Sequence, residues 1–135
     1  MKPAPLATVV QLPRFDRGAG TLSPLEFGTL PFVPRRDFFT TGARDGVIRG
    51  GHAHRRCHQL LRCAAGTVYV TVTRPDGHEA RWKLIPHDKA LHVPPRRWVE
   101  IHELRATDVI HVLASRPYEE DDYVRTRADF LRLRL

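Results

Sequence analysis

The 135-residue sequence has no long apolar run and few cysteines. No stretch approaches the roughly 20 apolar residues that a bilayer-spanning helix needs, and the N-terminus lacks the apolar core of a signal peptide. We therefore expect no membrane association and a cytoplasmic location. The two cysteines, Cys57 and Cys63, are too few for a disulfide framework and do not form a CxxC pair, which disfavours a zinc knuckle or a thioredoxin-like site.

Glycine-rich loops that lead into a helix are also missing, which excludes Rossmann and P-loop nucleotide binding. Hydrophobic residues make up 41% and charged residues 27% of the chain, so we predict one folded domain over residues 1–135. The net charge of +7 suggests an anionic partner. Because the arginines are dispersed along the chain, this partner is not expected to be a nucleic acid.

Proline and glycine recur at short intervals, which is typical of many short strands joined by turns. The clearest strand alternates Val68, Val70 and Val72 on one face and ends at a Pro-Asp-Gly turn, which predicts a hairpin. Predicted strands cover residues 8–12, 25–30, 37–41, 59–63, 67–73, 79–85, 90–93, 98–102 and 109–114. Only residues 119–133 are typical of a helix, so the pattern predicts an antiparallel β-barrel or sandwich with one C-terminal helix.

The densest chemical signal is the histidine-rich stretch over residues 46–59. In an extended segment, His52 and His54 lie on the same face, and His58 has the parity to join them. Three converging imidazoles can bind a metal or transfer protons, and the spacing alone leaves both uses open beside a purely structural role.

The spacing Gly46-x5-His52-x-His54-x3-His58 resembles the first cupin motif, with His58 in place of the usual glutamate. Where the second cupin motif has a histidine ligand, this chain has Val99. No metal is assigned on this basis, and a metal-dependent small cupin enzyme that uses His52, His54 and His58 is kept as an alternative.

A closer resemblance extends from about residue 12 to residue 131. The RGGHAH motif at residues 49–54 and the DYVR motif at residues 122–125 resemble the corresponding motifs of the WxcM-like dTDP-sugar 3,4-ketoisomerases. The resemblance implies an all-β, RmlC-like cupin: a small antiparallel β-barrel or jelly roll with a short C-terminal helix. It also implies an isomerase of deoxysugar biosynthesis that converts dTDP-4-keto-6-deoxy-D-glucose to a dTDP-3-keto-6-deoxyhexose through an enediol, without a cofactor.

By the same resemblance, His52 and His54 form the catalytic pair. We assign His54 as the base at carbon and His52 as the proton shuttle between oxygens, an order that can be reversed. Candidate substrate-binding residues are Arg17, Arg36, Phe38, Arg49, Arg55, Trp98 and His102. The arginines suit a diphosphate, and Trp98 either stacks on thymine or fills the core. Tyr118 and Tyr123 are expected to anchor the terminal segment.

The chain departs from the family pattern at Phe38 and Phe39, which replace tyrosines, besides Val99 and His58. The resemblance further implies a homodimer in which the N-terminal strand, about residues 7–13, is exchanged between subunits and covers an open sheet edge. A non-catalytic module that binds a sugar nucleotide is the remaining alternative.

Overall fold

The computed structural model describes residues 5–102 and 104–134, so the predicted domain over 1–135 is described except at residues 1–4, 103 and 135. Its strands are β1 Thr8–Gln11, β2 Phe15–Arg17, β3 Gly20–Leu22, β4 Arg36–Thr40, β5 Arg49–His54, β6 Gln59–Ala65, β7 Val68–Thr73, β8 Glu79–Leu84, β9 Lys89–Val93, β10 Trp98–His102, β11 Val109–Ala114 and β12 Tyr123–Val124. One α-helix, α1 Arg127–Leu131, follows β12.

The strands form two five-stranded antiparallel sheets that enclose the main core. The first sheet has the order β1-β9-β6-β11-β4 and the second the order β12-β5-β10-β7-β8, while β2 and β3 form a separate hairpin. The core takes Leu61 and Val112 from the first sheet and Val70 and Ile101 from the second. Burying one apolar face of each sheet against the other is what stabilises a two-layer β fold.

The pattern in β7 is confirmed, since Val68, Val70 and Val72 are fully buried. The predicted hairpin is confirmed as well. Gly77 adopts a φ of +91° and its amide donates to the Arg74 carbonyl at 2.9 Å, which closes the turn between β7 and β8. The all-β fold with a short C-terminal helix is therefore as the sequence predicts.

Two predicted elements are wrong. Residues 25–30 do not form a strand but a 3-10 turn over Phe27–Thr29, in which the Thr29 amide donates to the Glu26 carbonyl. Their side chains Leu25 and Leu30 instead pack against buried residues of the first sheet.

The predicted helix over 119–133 is also interrupted. A 3-10 turn (Glu120–Asp122) and strand β12 precede α1, which begins after the N-cap Thr126. The reason is tertiary, because β12 pairs with β5 and this pairing outweighs local helix propensity. Among the described residues, no helix is long and apolar enough to cross a membrane.

Candidate active site

Strand β5 places the two central histidines at the inner face of the second sheet. His52 and His54 are two residues apart on an extended segment, and their rings lie 5.1 Å apart between centroids at an angle of 87°. The strand approaches β10 very closely at Gly50, which has a φ of +80°. A Cβ at this position would lie 2.6 Å from the Val99 carbonyl oxygen. Only glycine therefore allows β5 to run this close to β10.

Of the two histidines, His52 lines a cavity of about 220 Å³ between the sheets. Its polar lining is sparse and comes from several strands: Thr40, Arg49, His52, Gln59 and Tyr123. Apolar side chains such as Phe38, Val99 and Ile101 complete the wall. A mostly apolar cavity with a few convergent polar groups is the usual form of a small-molecule site.

His54 is held by a carboxylate from the C-terminal segment. Its Nδ1 lies 2.8 Å from Oδ2 of Asp122, and both residues are buried, with 5% and 2% exposure. The other carboxylate oxygen accepts a hydrogen bond from the Arg56 amide at 2.7 Å. Because an ionised carboxylate only accepts hydrogen bonds, Nδ1 carries the proton and Nε2 keeps the lone pair.

The Nε2 atom of His54 is buried and has no hydrogen-bond partner among residues 5–102 and 104–134. Such an atom is costly to leave unsatisfied in a fold, so it points to a group that a ligand completes. Burial lowers the pKa of His54, and Asp122 opposes this effect only in part. Burial alone would raise the pKa of Asp122, but the hydrogen bonds from His54 and the Arg56 amide leave it lowered, so the carboxylate is charged.

His52 is neutral at physiological pH. Burial and, to a smaller extent, the neighbouring His54 lower the pKa of His52 to about 4, although a backbone hydrogen bond with Gly50 acts in the opposite direction. Two neutral imidazoles side by side, one of them in the cavity wall, can accept and donate protons without first losing a charge.

Of the predicted arginines, Arg36 and Arg49 lie at the site. Arg49 lines the cavity. The Arg36 guanidinium lies 5.3 Å from the Phe38 ring centroid and 5.7 Å from that of Tyr118. Its buried Nε has no hydrogen-bond partner within the described ranges. Arg17 lies instead on the exposed hairpin and Arg55 is also exposed, so the structure does not bring these two to the cavity.

Phe38 lines the cavity, whereas Trp98 and His102 do not. Successive residues of a strand point to opposite faces, and in β10 it is Val99 and Ile101 that face the cavity. Trp98 is 5% exposed and packs against Phe130 at 5.5 Å. Contact of Trp98 and His102 with substrate stays a prediction, and the packing of Trp98 against Phe130 matches the other role expected of Trp98, which is to fill the core.

His58 does not join His52 and His54. Its Nδ1 lies 2.9 Å from Nε2 of His92, and both rings lie near Phe32. The chain leaves the strand after His54, so strand parity no longer applies at His58.

The three-histidine metal set is therefore not assembled in the described part of the chain. A different group of potential ligands, His54, Cys57 and Asp122, lies within 4.8 Å. In that group, the His54 Nδ1 and the Asp122 carboxylate already satisfy each other.

Sequence reasoning missed three functional candidates in the DDYVR stretch: Asp122, Tyr123 and Arg125. Tyr123 lines the cavity, with its ring centroid 5.1 Å from that of His52 and 4.5 Å from that of His54. The Arg125 guanidinium lies 4.3 Å from the Tyr123 centroid. The resemblance of this stretch to the C-terminal motif of the family was the available signal. It did not show which strand the stretch would pair with.

The chain is similar to sugar 3,4-ketoisomerases over most of its length. The TDP-4-oxo-6-deoxy-alpha-D-glucose-3,4-oxoisomerase of Aneurinibacillus thermoaerophilus is 29% identical over 124 residues, which cover 90% of this chain and 88% of the relative. A crystal structure of a histidine-to-asparagine mutant of the 3,4-ketoisomerase QdtA from Thermoanaerobacterium thermosaccharolyticum, in complex with TDP-4-keto-6-deoxyglucose, superposes with a TM-score of 0.88. It is 28% identical, and the match covers 93% of this chain and 91% of that one.

The RmlC epimerase of Mycobacterium tuberculosis shares the fold, with a TM-score of 0.77 at 15% identity over 91% of this chain and 70% of that one. The family model described as "FdtA: WxcM-like, C-terminal" matches residues 6–134. By this match over nearly its whole length, the chain belongs to the FdtA, WxcM-like family.

Proposed function

We propose that this protein is an isomerase that converts dTDP-4-keto-6-deoxy-D-glucose to a dTDP-3-keto-6-deoxyhexose. The observation that carries the proposal is the buried Nε2 of His54, which has no hydrogen-bond partner in the described part of the chain, while Asp122 holds Nδ1. The related oxoisomerase and the ketoisomerase complex support the choice of substrate.

His54 is the base at carbon in this proposal. Its Nε2 removes the proton from C3, the C3–H electron pair forms the C3–C4 double bond, and the C4 carbonyl becomes an enediolate. The same imidazolium then returns a proton to C4. Asp122 stabilises the imidazolium between these two steps and keeps the ring in the productive tautomer.

His52 moves the oxygen-bound proton. Conversion of the 4-keto to the 3-keto sugar requires loss of the proton from the C3 hydroxyl and gain of one at the C4 oxygen. A neutral imidazole can accept one proton and donate another, and the lowered pKa of His52 keeps it in that form. One carbon is oxidised and its neighbour reduced, so the reaction balances without an external oxidant, reductant or redox cofactor.

The arginines at the site bind the diphosphate. Arg36 makes no ion pair among the described residues and stacks on aromatic rings instead, so its charge is available to an anion. Arg49, on the cavity wall, is the second candidate. Contributions from Arg17 and Arg55 stay predictions that need a rearrangement or a partner subunit. A charged nucleotide sugar does not cross membranes unaided, which fits the proposed cytoplasmic location.

A homodimer is part of the same proposal. β1 is the edge strand of the first sheet and pairs with β9 within the chain, with Thr8 opposite His92. Exchange of β1 between two copies would preserve this register. Large apolar side chains are also exposed, among them Phe15, Leu22 and Phe39 with 46%, 62% and 59% exposure. Light scattering after size exclusion, at micromolar concentration, should give twice 15.5 kDa, and a monomer would contradict this part.

The decisive experiment is proton NMR of dTDP-4-keto-6-deoxyglucose incubated with the protein in D2O. We expect a 3-keto product and incorporation of solvent deuterium into the sugar ring. His54→Asn should abolish the exchange, whereas His78→Asn, a change in the turn before β8, should leave it unaltered. Wild-type protein that gives neither product nor exchange would refute the proposed function.

A further inference from the structure

Tyr123 is the one aromatic side chain whose ring contacts both histidines of the site in the described chain. Its centroid lies 5.1 Å from that of His52 and 4.5 Å from that of His54, and its side chain lines the cavity. A tyrosine that only anchored the C-terminal segment would not need to contact both proton-transfer groups and line the cavity as well.

The backbone fixes this position firmly. β12 pairs antiparallel with β5, and Tyr123 is the register partner of His54. The preceding residue, Asp122, binds His54 Nδ1, so one short segment both orients the base and delivers the phenol. Opposed residues in an antiparallel pair have Cα atoms roughly 4.5–5.5 Å apart, which leaves the ring little freedom to move away.

The hydroxyl of Tyr123 is available to a ligand. The Tyr123 hydroxyl makes no hydrogen bond among the described residues, whereas the hydroxyl of nearby Tyr118 donates to Glu120. The Arg125 guanidinium lies 4.3 Å from the Tyr123 ring centroid and pairs with the Glu120 carboxylate at 3.1 Å, so it holds the ring in place by a cation–π contact.

The geometry points to Tyr123 as a third catalytic residue, whose hydroxyl donates a hydrogen bond to the enediolate oxygen as it forms. This inference rests on the proposed ketoisomerase function. When His54 removes the C3 proton, electrons move onto the C4 oxygen, and a donor already in place stabilises that charge. The phenol proton stays on Tyr123, while His52 transfers the proton between the two sugar oxygens, so atoms and electrons balance.

Tyr123→Phe is the informative variant because it keeps the ring against both imidazoles and removes only the hydroxyl. Removal of one preorganised donor of this kind reduces kcat by about 10²- to 10³-fold. We therefore expect a loss of about 100-fold in kcat, with KM and the affinity for TDP within about threefold of wild type. Tyr69→Phe is the matched control, because it makes the same change on β7 at a ring that lies against Arg81 and does not line the cavity, and it should retain wild-type kcat.

The assay follows isomerisation and solvent deuterium exchange in the same sample. Wild-type kcat in Tyr123→Phe would overturn the inference, as would a loss that appears only in TDP affinity or in the urea midpoint. Inactive wild-type protein would instead defeat the proposed function on which the inference rests. Active wild type together with active Tyr123→Phe defeats this inference alone.

Discussion

The hydrogen bond between Asp122 and His54 offers the sharpest test of the catalytic geometry. In Asp122→Asn, one carboxylate oxygen becomes an amide that donates. The other oxygen position must still accept from the Arg56 amide at 2.7 Å, so the amide nitrogen faces His54 Nδ1. His54 must then accept there and carry its proton on Nε2, which removes the lone pair that the reaction needs.

The expected loss is large. In hydrolase triads the same carboxylate-to-amide change reduces the rate by about 10⁴-fold through the wrong tautomer. His54 lacks the rest of such a triad, so we expect about 10³-fold in kcat, which equals about 4 kcal/mol of transition-state stabilisation. Loss of a buried charge-assisted hydrogen bond also reduces the free energy of unfolding by about 1.5–3 kcal/mol.

Two measurements check this prediction. Steady-state kinetics gives kcat, and ¹⁵N NMR of the imidazoles reports which nitrogen of His54 is protonated. Asp121→Asn is the matched control, because the Asp121 side chain is 81% exposed and pairs with Arg56 at the surface. A kcat for Asp122→Asn within threefold of the control, or an unchanged tautomer, would refute the reasoning.

Three further predictions concern charge, pH and backbone. Arg36→Met should raise KM at least tenfold with a smaller change in kcat, because the guanidinium makes no ion pair among the described residues and is available to bind the diphosphate of the substrate. An unchanged KM in steady-state kinetics would exclude this role in binding. Burial and, to a smaller extent, the adjacent His58 lower the pKa of His92 to about 4, whereas the pKa of a histidine in an unfolded chain is near 6.5. The unfolded state therefore binds more protons between these values, and stability should fall as pH drops from 6.5 towards 4. His92→Gln should flatten this dependence in urea titrations, and an unaltered slope would contradict it. Gly50→Ala should lower the urea midpoint more than Gly51→Ala, since both have positive φ but only Gly50 faces a backbone oxygen; equal midpoints would refute the close approach.

Local patterns were enough to predict much of the framework. Alternation in β7 and the Pro-Asp-Gly turn depend on neighbours within a few residues, so the sequence alone predicts them. The same is true of the facing histidines, since strand parity holds for His52 and His54 on unbroken β5. It fails at His58, beyond the end of that strand, and at residues 119–133, where a helix-like pattern yields to pairing between β12 and β5.

The sequence by itself determined the fold class, the family and the histidine pair. Only the tertiary structure decided which groups complete the pair, because Asp122 and His54 are 68 residues apart in the chain. It also decided that Val99 and Ile101, not Trp98 and His102, face the cavity, since the direction of a strand's faces depends on the sheet against which it packs. Proton transfer requires atoms within hydrogen-bond distance, and the antiparallel pairing of β5 with β12 is what brings them there.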